Sequence, residues 1–119
     1  MPLQVQKKVA EPDITVLALK GQFVSGSECE HVEVLVDDLL REGSRKILFD
    51  LAGVEHMDSS GVGAVVMCSA KLRKCGGELR LCGAWGPVES LLKLTRVSQI
   101  IGHYATQAAA TQEFHLQEE

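Results

Sequence analysis

Asp58-Ser59-Ser60-Gly61-Val62-Gly63 holds the side chains of this sequence best placed to do chemistry. The segment follows Ile47-Leu48-Phe49-Asp50-Leu51, an apolar run that reads as a strand, and opens a run with helical spacing, Val62 to Leu72. Aspartate is a preferred N-cap because its carboxylate accepts backbone N–H groups left unpaired in a helix's first turn. Asp58 is therefore expected to cap the second helix, with Ser59 and Ser60 in its first turn. Hydroxyls there lie at the positive end of the helix dipole, where an added phosphate is electrostatically favoured. Gly61 and Gly63 carry no side chain, so a second protein or a nucleotide could approach the backbone closely. The pattern is that of a modifiable serine on a docking surface.

Other chemistries fit these residues less well. His56, Asp58 and Ser59 or Ser60 are the ingredients of a nucleophilic triad, but neighbours in one loop cannot easily set acid behind base and base toward nucleophile. The hydrolase elbow is missing, because Asp58 stands where its first glycine would precede Ser60. Gly61-Val62-Gly63 opens a helix, yet Val66 occupies the place of the third glycine of a dinucleotide fingerprint, and no Walker lysine follows. A helix N-terminus still leaves room for a weak nucleotide or phosphate contact. His31, His56, His103 and His115 are scattered singly, without metal-ligand spacing, so neither a metal nor a cofactor is expected. Cys29, Cys68, Cys75 and Cys82 form no C-x-x-C pair and read as reduced thiols acting as small core residues.

Composition sets the frame for these residues. With 119 residues, the chain can bury one real core but not two. Hydrophobic residues make up 45% and charged residues 24%, an ordinary globular balance, and five aromatics leave the core mainly aliphatic. A net charge of -4 without a concentrated basic surface argues against nucleic acid as partner. The most apolar stretch, Val62 to Ala70, is far short of the roughly 20 residues a membrane crossing needs. The first residues lack a signal-peptide pattern, which makes the cytoplasm the expected compartment.

The elements that must position the serines follow from periodicity. Leu3 to Val9 alternates weakly, Glu11-Pro12-Asp13 signals a turn, and Ile14 to Leu19 reads as a buried strand closed by Gly21. Ser27 is a candidate cap for an amphipathic helix of about four turns, with Val32, Leu35, Val36, Leu39 and Leu40 on its apolar stripe and Gly43 as its stop. The strand Lys46 to Leu51 leads into the serine loop. The second helix is expected to bury Val62, Val65, Val66, Ser69 and Leu72 and to end at Gly76-Gly77. Glu78 to Cys82 alternates as a strand, Pro87 suits the first turn of a third helix burying Val88, Leu91 and Leu92, and Ile100-Ile101 suggest a short last strand. Ala105 to Phe114 completes the order ββαβαβαβα as a closing helix. Such alternation implies parallel pairing through right-handed crossovers, with the first hairpin adding an antiparallel edge. The expectation is one α/β domain over residues 1–116, a mixed sheet of four or five strands with helices mainly on one face, and a frayed tail at 117–119.

Met57-Asp58-Ser59-Ser60-Gly61-Val62-Gly63 after a strand resembles the signature loop of the STAS domain, the fold of bacterial anti-sigma factor antagonists. The likeness runs over nearly the whole chain, through Leu19-Lys20-Gly21, Lys74-Cys75-Gly76-Gly77-Glu78-Leu79, and Leu91-Leu92-Lys93-Leu94-Thr95 with Ile100-Ile101. It implies a phosphorylation site directly after the motif aspartate, at Ser59. The modifying partner would be a serine kinase that is also the anti-sigma factor, bound through Asp58, Ser59, Ser60, Gly61, Val62 and Gly63. Two departures stand out. Family members often carry an acidic, hydrophobic, acidic tripeptide where this chain has Gln22-Phe23-Val24, and an apolar or aromatic residue where it has His56. Two functional classes follow from the resemblance: a phosphorylation-switched antagonist, or a STAS scaffold or ligand-binding module of a stressosome-like or lipid-transport assembly that lacks the kinase.

Overall fold

Near-continuous apolar runs are the mark of strands covered on both faces, and two long ones form the centre of this protein. The computed structural model describes residues 3–10, 12–24 and 26–116; the expected tail at 117–119 lies outside them. Strands β2 (Ile14–Phe23) and β3 (Lys46–Met57) lie side by side and parallel. β1 (Gln4–Ala10) joins β2 as an antiparallel edge, and β4 (Glu78–Cys82) and β5 (His103–Tyr104) extend the sheet in parallel beyond β3. The order is β1-β2-β3-β4-β5.

A sheet built in chain order by right-handed crossovers collects its crossover helices on one face. The packing agrees. Helices α1 (Gly26–Arg41), α2 (Ser59–Lys74) and α3 (Gly86–Leu94) contribute Val32, Val36 and Leu39, then Val65, Cys68 and Leu72, then Val88 and Leu92. These share one core with Leu17, Leu19, Ile47, Phe49, Leu51, Leu79 and Leu81 from the sheet. The alternate residues Ile14, Val16, Leu48 and Cys82 face the other way and meet Ala110 and Phe114 of the closing helix α5 (Gln107–Leu116). Both α1 and α2 end as Schellman motifs: Ser44 N–H reaches the Leu39 carbonyl at 2.9 Å and Gly77 N–H the Leu72 carbonyl at 2.7 Å, with Gly43 and Gly76 at positive φ.

Several sequence expectations change. Gly21 does not end β2. It adopts φ 109°, a value suited to glycine, within a stretch of shifted register, and the strand continues to Phe23 against a prolonged β3. His56 and Met57 are therefore strand residues rather than loop. Ser27 lies inside α1, which already begins at Gly26, so it is not the cap. Val66 is 38% exposed instead of buried, because Ala64 and Cys68 take the core-facing positions on α2. Val62, Leu35 and Leu91 are half-buried. Ile100 belongs to a short helix, α4 (Val97–Ile100), entered through the left-handed Arg96 at φ 64°, and the last strand is His103–Tyr104. The closing helix runs from Gln107 rather than Ala105.

Three thiols sit in the interior as expected, but Cys75 is exposed at the end of α2. Burial pushes the Cys68 and Cys82 thiols up to about 12, which leaves both protonated and unreactive at neutral pH. Arg80 alternates like a solvent-facing strand residue, yet it is 1% exposed. Its guanidinium pairs with Glu78 at 2.9 Å, donates to the Tyr104 hydroxyl at 2.6 Å, and lies 4.6 Å from the centre of the Phe114 ring. A buried cation is tolerable only with such partners.

Candidate functional site

The prolonged pair of β2 and β3 carries the chain beyond the end of β4 and delivers Met57 to the start of α2. Asp58 follows in extended conformation, φ -120° and ψ -169°, as an N-cap requires. Its Oδ1 accepts the N–H groups of Ser60 at 2.9 Å and Gly61 at 3.2 Å, and its carbonyl accepts the N–H of Val62 at 3.1 Å. Ser59 is thereby fixed as the first helical residue, and both Ser59 and Ser60 are exposed. α2 has no acidic side chain in its first turn, so the dipole there is unopposed except by the cap. The Asp58 carboxylate also acts across the tip: the Cys29 thiol of α1 is raised mainly by burial and next by this charge.

The two glycines have different roles. Gly63 is exposed, and a Cβ built on it meets nothing within 4 Å, so its backbone is open to an approaching surface. Gly61 is buried. A Cβ there would lie 2.3 Å from the Phe23 carbonyl oxygen and 2.7 Å from Met57 Cγ. Its missing side chain lets α2 settle onto the ends of β2 and β3, rather than admitting a partner. Val62 is half-buried between these settings.

Asp58's carboxylate is engaged in capping, and His56 lies exposed on β3 opposite Gln22 of β2. The three residues considered for a triad are thus set out along a strand end and a helix start, not aimed at one another. Among the described residues, no group of three His, Cys, Asp or Glu side chains could hold a metal ion, and no helix is long and apolar enough to cross a membrane. What the tip offers is an exposed hydroxyl, backbone within reach and a rigid base. Replacing Asp58 by Ala should lower stability by roughly 0.5 to 2 kcal/mol through the lost cap, read as a drop in the denaturant midpoint with unchanged slope.

The model of the STAS domain family matches residues 5–110, nearly the whole described chain. The chain belongs to the STAS domain family. A Thermotoga maritima protein named as a candidate anti-sigma factor antagonist is 32% identical over 77 residues, covering 65% of this chain and 68% of its own. A crystal structure of a Thermotoga maritima protein so described superposes with a TM-score of 0.83 at 26% identity, covering 92% of each chain. The Bacillus cell fate determinant SpoIIAA in its phosphorylated form superposes at 0.72 and 19% identity, over 93% of this chain and 99% of its own, and supports the fold alone. This STAS domain thus has the mixed sheet and antiparallel first hairpin of its structural neighbours.

Sequence reading missed one feature of the surface. Val66 and Met67, 38% and 50% exposed, lie on the outward side of α2 in line with the serines. The signal was present as an excess: α2 has more apolar residues between Val62 and Leu72 than one buried stripe can hold.

Proposed function

We propose that this STAS domain is an anti-sigma factor antagonist: a protein-binding module that sequesters a serine kinase/anti-sigma factor while Ser59 is unphosphorylated and releases it once Ser59 carries phosphate. The observation that supports this best is Ser59 itself, exposed in the first turn of a helix whose cap is Asp58 and whose base is packed through Gly61. A kinase can reach that hydroxyl without unfolding the domain. The helix dipole can then carry the added charge with little change of fold. Asp58, Ser59, Ser60, Val62 and Gly63 would form the docking tip, with Gly61 shaping it from within. The names of the Thermotoga maritima relative and of the Bordetella bronchiseptica protein BtrV, each a candidate anti-sigma factor antagonist, favour the same reading. On this reading the protein acts by binding rather than turnover, and in the cytoplasm, where sigma factors work.

The scaffold reading keeps one specific observation in its favour: Gln22 and Val24 flank the tip where the resembled pattern carries acids. Phosphosite mapping after incubation with ATP and any serine kinase encoded beside this gene separates the two. Phosphate on Ser59 is the expected result. Label on Ser60 alone moves the site by one residue, and no label with any neighbouring kinase favours the scaffold.

A further inference from the structure

A second surface feature lies along the C-terminal half of α2. Between α2 and α4 runs an open groove of about 500 Å³. Val66, Ala70, Ile100 and Ile101 line it, with Arg73 and Lys74 at its rim and no acidic residue among the lining side chains. Two of the apolar walls remain substantially exposed, Val66 at 38% and Ile100 at 52%. The Arg73 guanidinium donates to the Ile100 carbonyl at 2.7 Å, which holds one cation against the α4 wall while its other N–H groups remain to be paired.

Cations in the last turn of α2 complement the helix dipole, and that accounts for Arg73 and Lys74 taken singly. It does not account for uncovered valine and isoleucine beside them. Exposed apolar walls bordered by charge of one sign mark a binding surface, and the sign identifies the occupant. On a chain of net charge -4, a rim without acids selects an acidic partner. A membrane surface fits poorly, because the overall charge repels anionic lipid and the apolar residues line a concavity instead of protruding.

We infer that this groove docks an acidic amphipathic helix of the protein partner, its apolar residues against Val66, Ala70 and Ile100 and its carboxylates on Arg73 and Lys74. Helix-in-groove recognition uses anchors spaced at i, i+3, i+4 and i+7, which suits a trench flanked by two helices. The inference extends the partner-binding reading above from the serine tip to the opposite end of α2, and rests on that reading only in taking the partner to be a protein.

The test needs no kinase, so it can fail independently of the Ser59 switch. The full chain, isotope-labelled, is titrated with a synthetic helical peptide of about four turns, leucines on one face and glutamates flanking them. A second peptide keeps the leucines and replaces every glutamate by lysine. The acidic peptide should shift the amide signals of Val66, Ala70, Ile100 and Ile101 and bind at least about tenfold more tightly than the basic one. R73E/K74E should reverse that preference, while V34E, on the exposed side of α1, should leave it unchanged. Equal binding of both peptides, no binding, or shifts centred on another face overturns the inference. So does tighter binding to phosphatidylglycerol vesicles, or sedimentation of the unliganded chain as a dimer that Val66→Glu dissociates.

Discussion

Ser59→Asp is expected to weaken binding to the proposed kinase/anti-sigma partner by at least about tenfold, whereas Ser59→Ala should bind constitutively and never be released by ATP. The unmodified tip presents two small hydroxyls and the open backbone of Gly63, all easily desolvated against a partner. Phosphate on Ser59 adds roughly -1.5 to -2 charges, and within the free domain the N-terminal end of α2 receives them at little cost. In the docked state the same charge must shed water close to the Asp58 carboxylate, and to the exposed Glu55 three residues earlier in the chain. An unmatched charge at an interface costs several kcal/mol, and each 1.4 kcal/mol is about a factor of ten in affinity. Release then follows from electrostatics alone, with no rearrangement of the sheet. Calorimetric titration of wild type, both variants and phosphorylated protein with the partner checks this. Undiminished binding of the phosphorylated protein would sink the switch, and a large spectral change in the free domain would replace electrostatics with refolding as its cause.

Gly61→Ala is expected to destabilise the domain by roughly 1 to 3 kcal/mol, the range for overfilling a packed site, although alanine is the better helix former. The added methyl would press on the Phe23 carbonyl and on Met57. The carbonyl is backbone in a paired strand and cannot swing aside as a side-chain end could. The start of α2 would have to lift, loosening the Asp58 cap with it. Gly63→Ala is the matched control: nothing lies within 4 Å of its Cβ position, and its helical backbone takes alanine readily. That substitution should leave stability unchanged or raise it by up to about 1 kcal/mol. Denaturant midpoints for the two variants decide the matter, and similar values for both would refute the buried role given to Gly61.

Much of the frame was legible in the residues alone. The stripe Val32, Val36 and Leu39, the aspartate before a helical run, the glycines at 43 and 76, and the apolar strands each report a local requirement that one residue type meets best. Helix caps, turn glycines and the side of an element that must be covered are properties of a short segment, so a short segment can reveal them. The candidate serine was legible for the same reason: its place depends on Asp58, its immediate neighbour.

The tertiary structure decided what covers what. Periodicity shows that a face is apolar or polar without showing which element will lie on it. Arg80 looked solvent-facing until α5 closed over it with Phe114, and Val66 looked buried until Ala64 and Cys68 took the core-facing side of α2. Gly61 and Gly63 are indistinguishable in the sequence, yet one is filled by the end of β2 and the other opens to solvent. Gln22 and His56, one from each of the two departures from the pattern the chain resembles, are far apart in sequence. The bulged extension of β2 makes them register partners at the base of the tip. Such pairings are set by strand register and by the closure of long loops, whose outcome depends on all the packed surfaces at once. The residues pointed to the serine tip, and the fold determined which of its neighbours lie open to solvent.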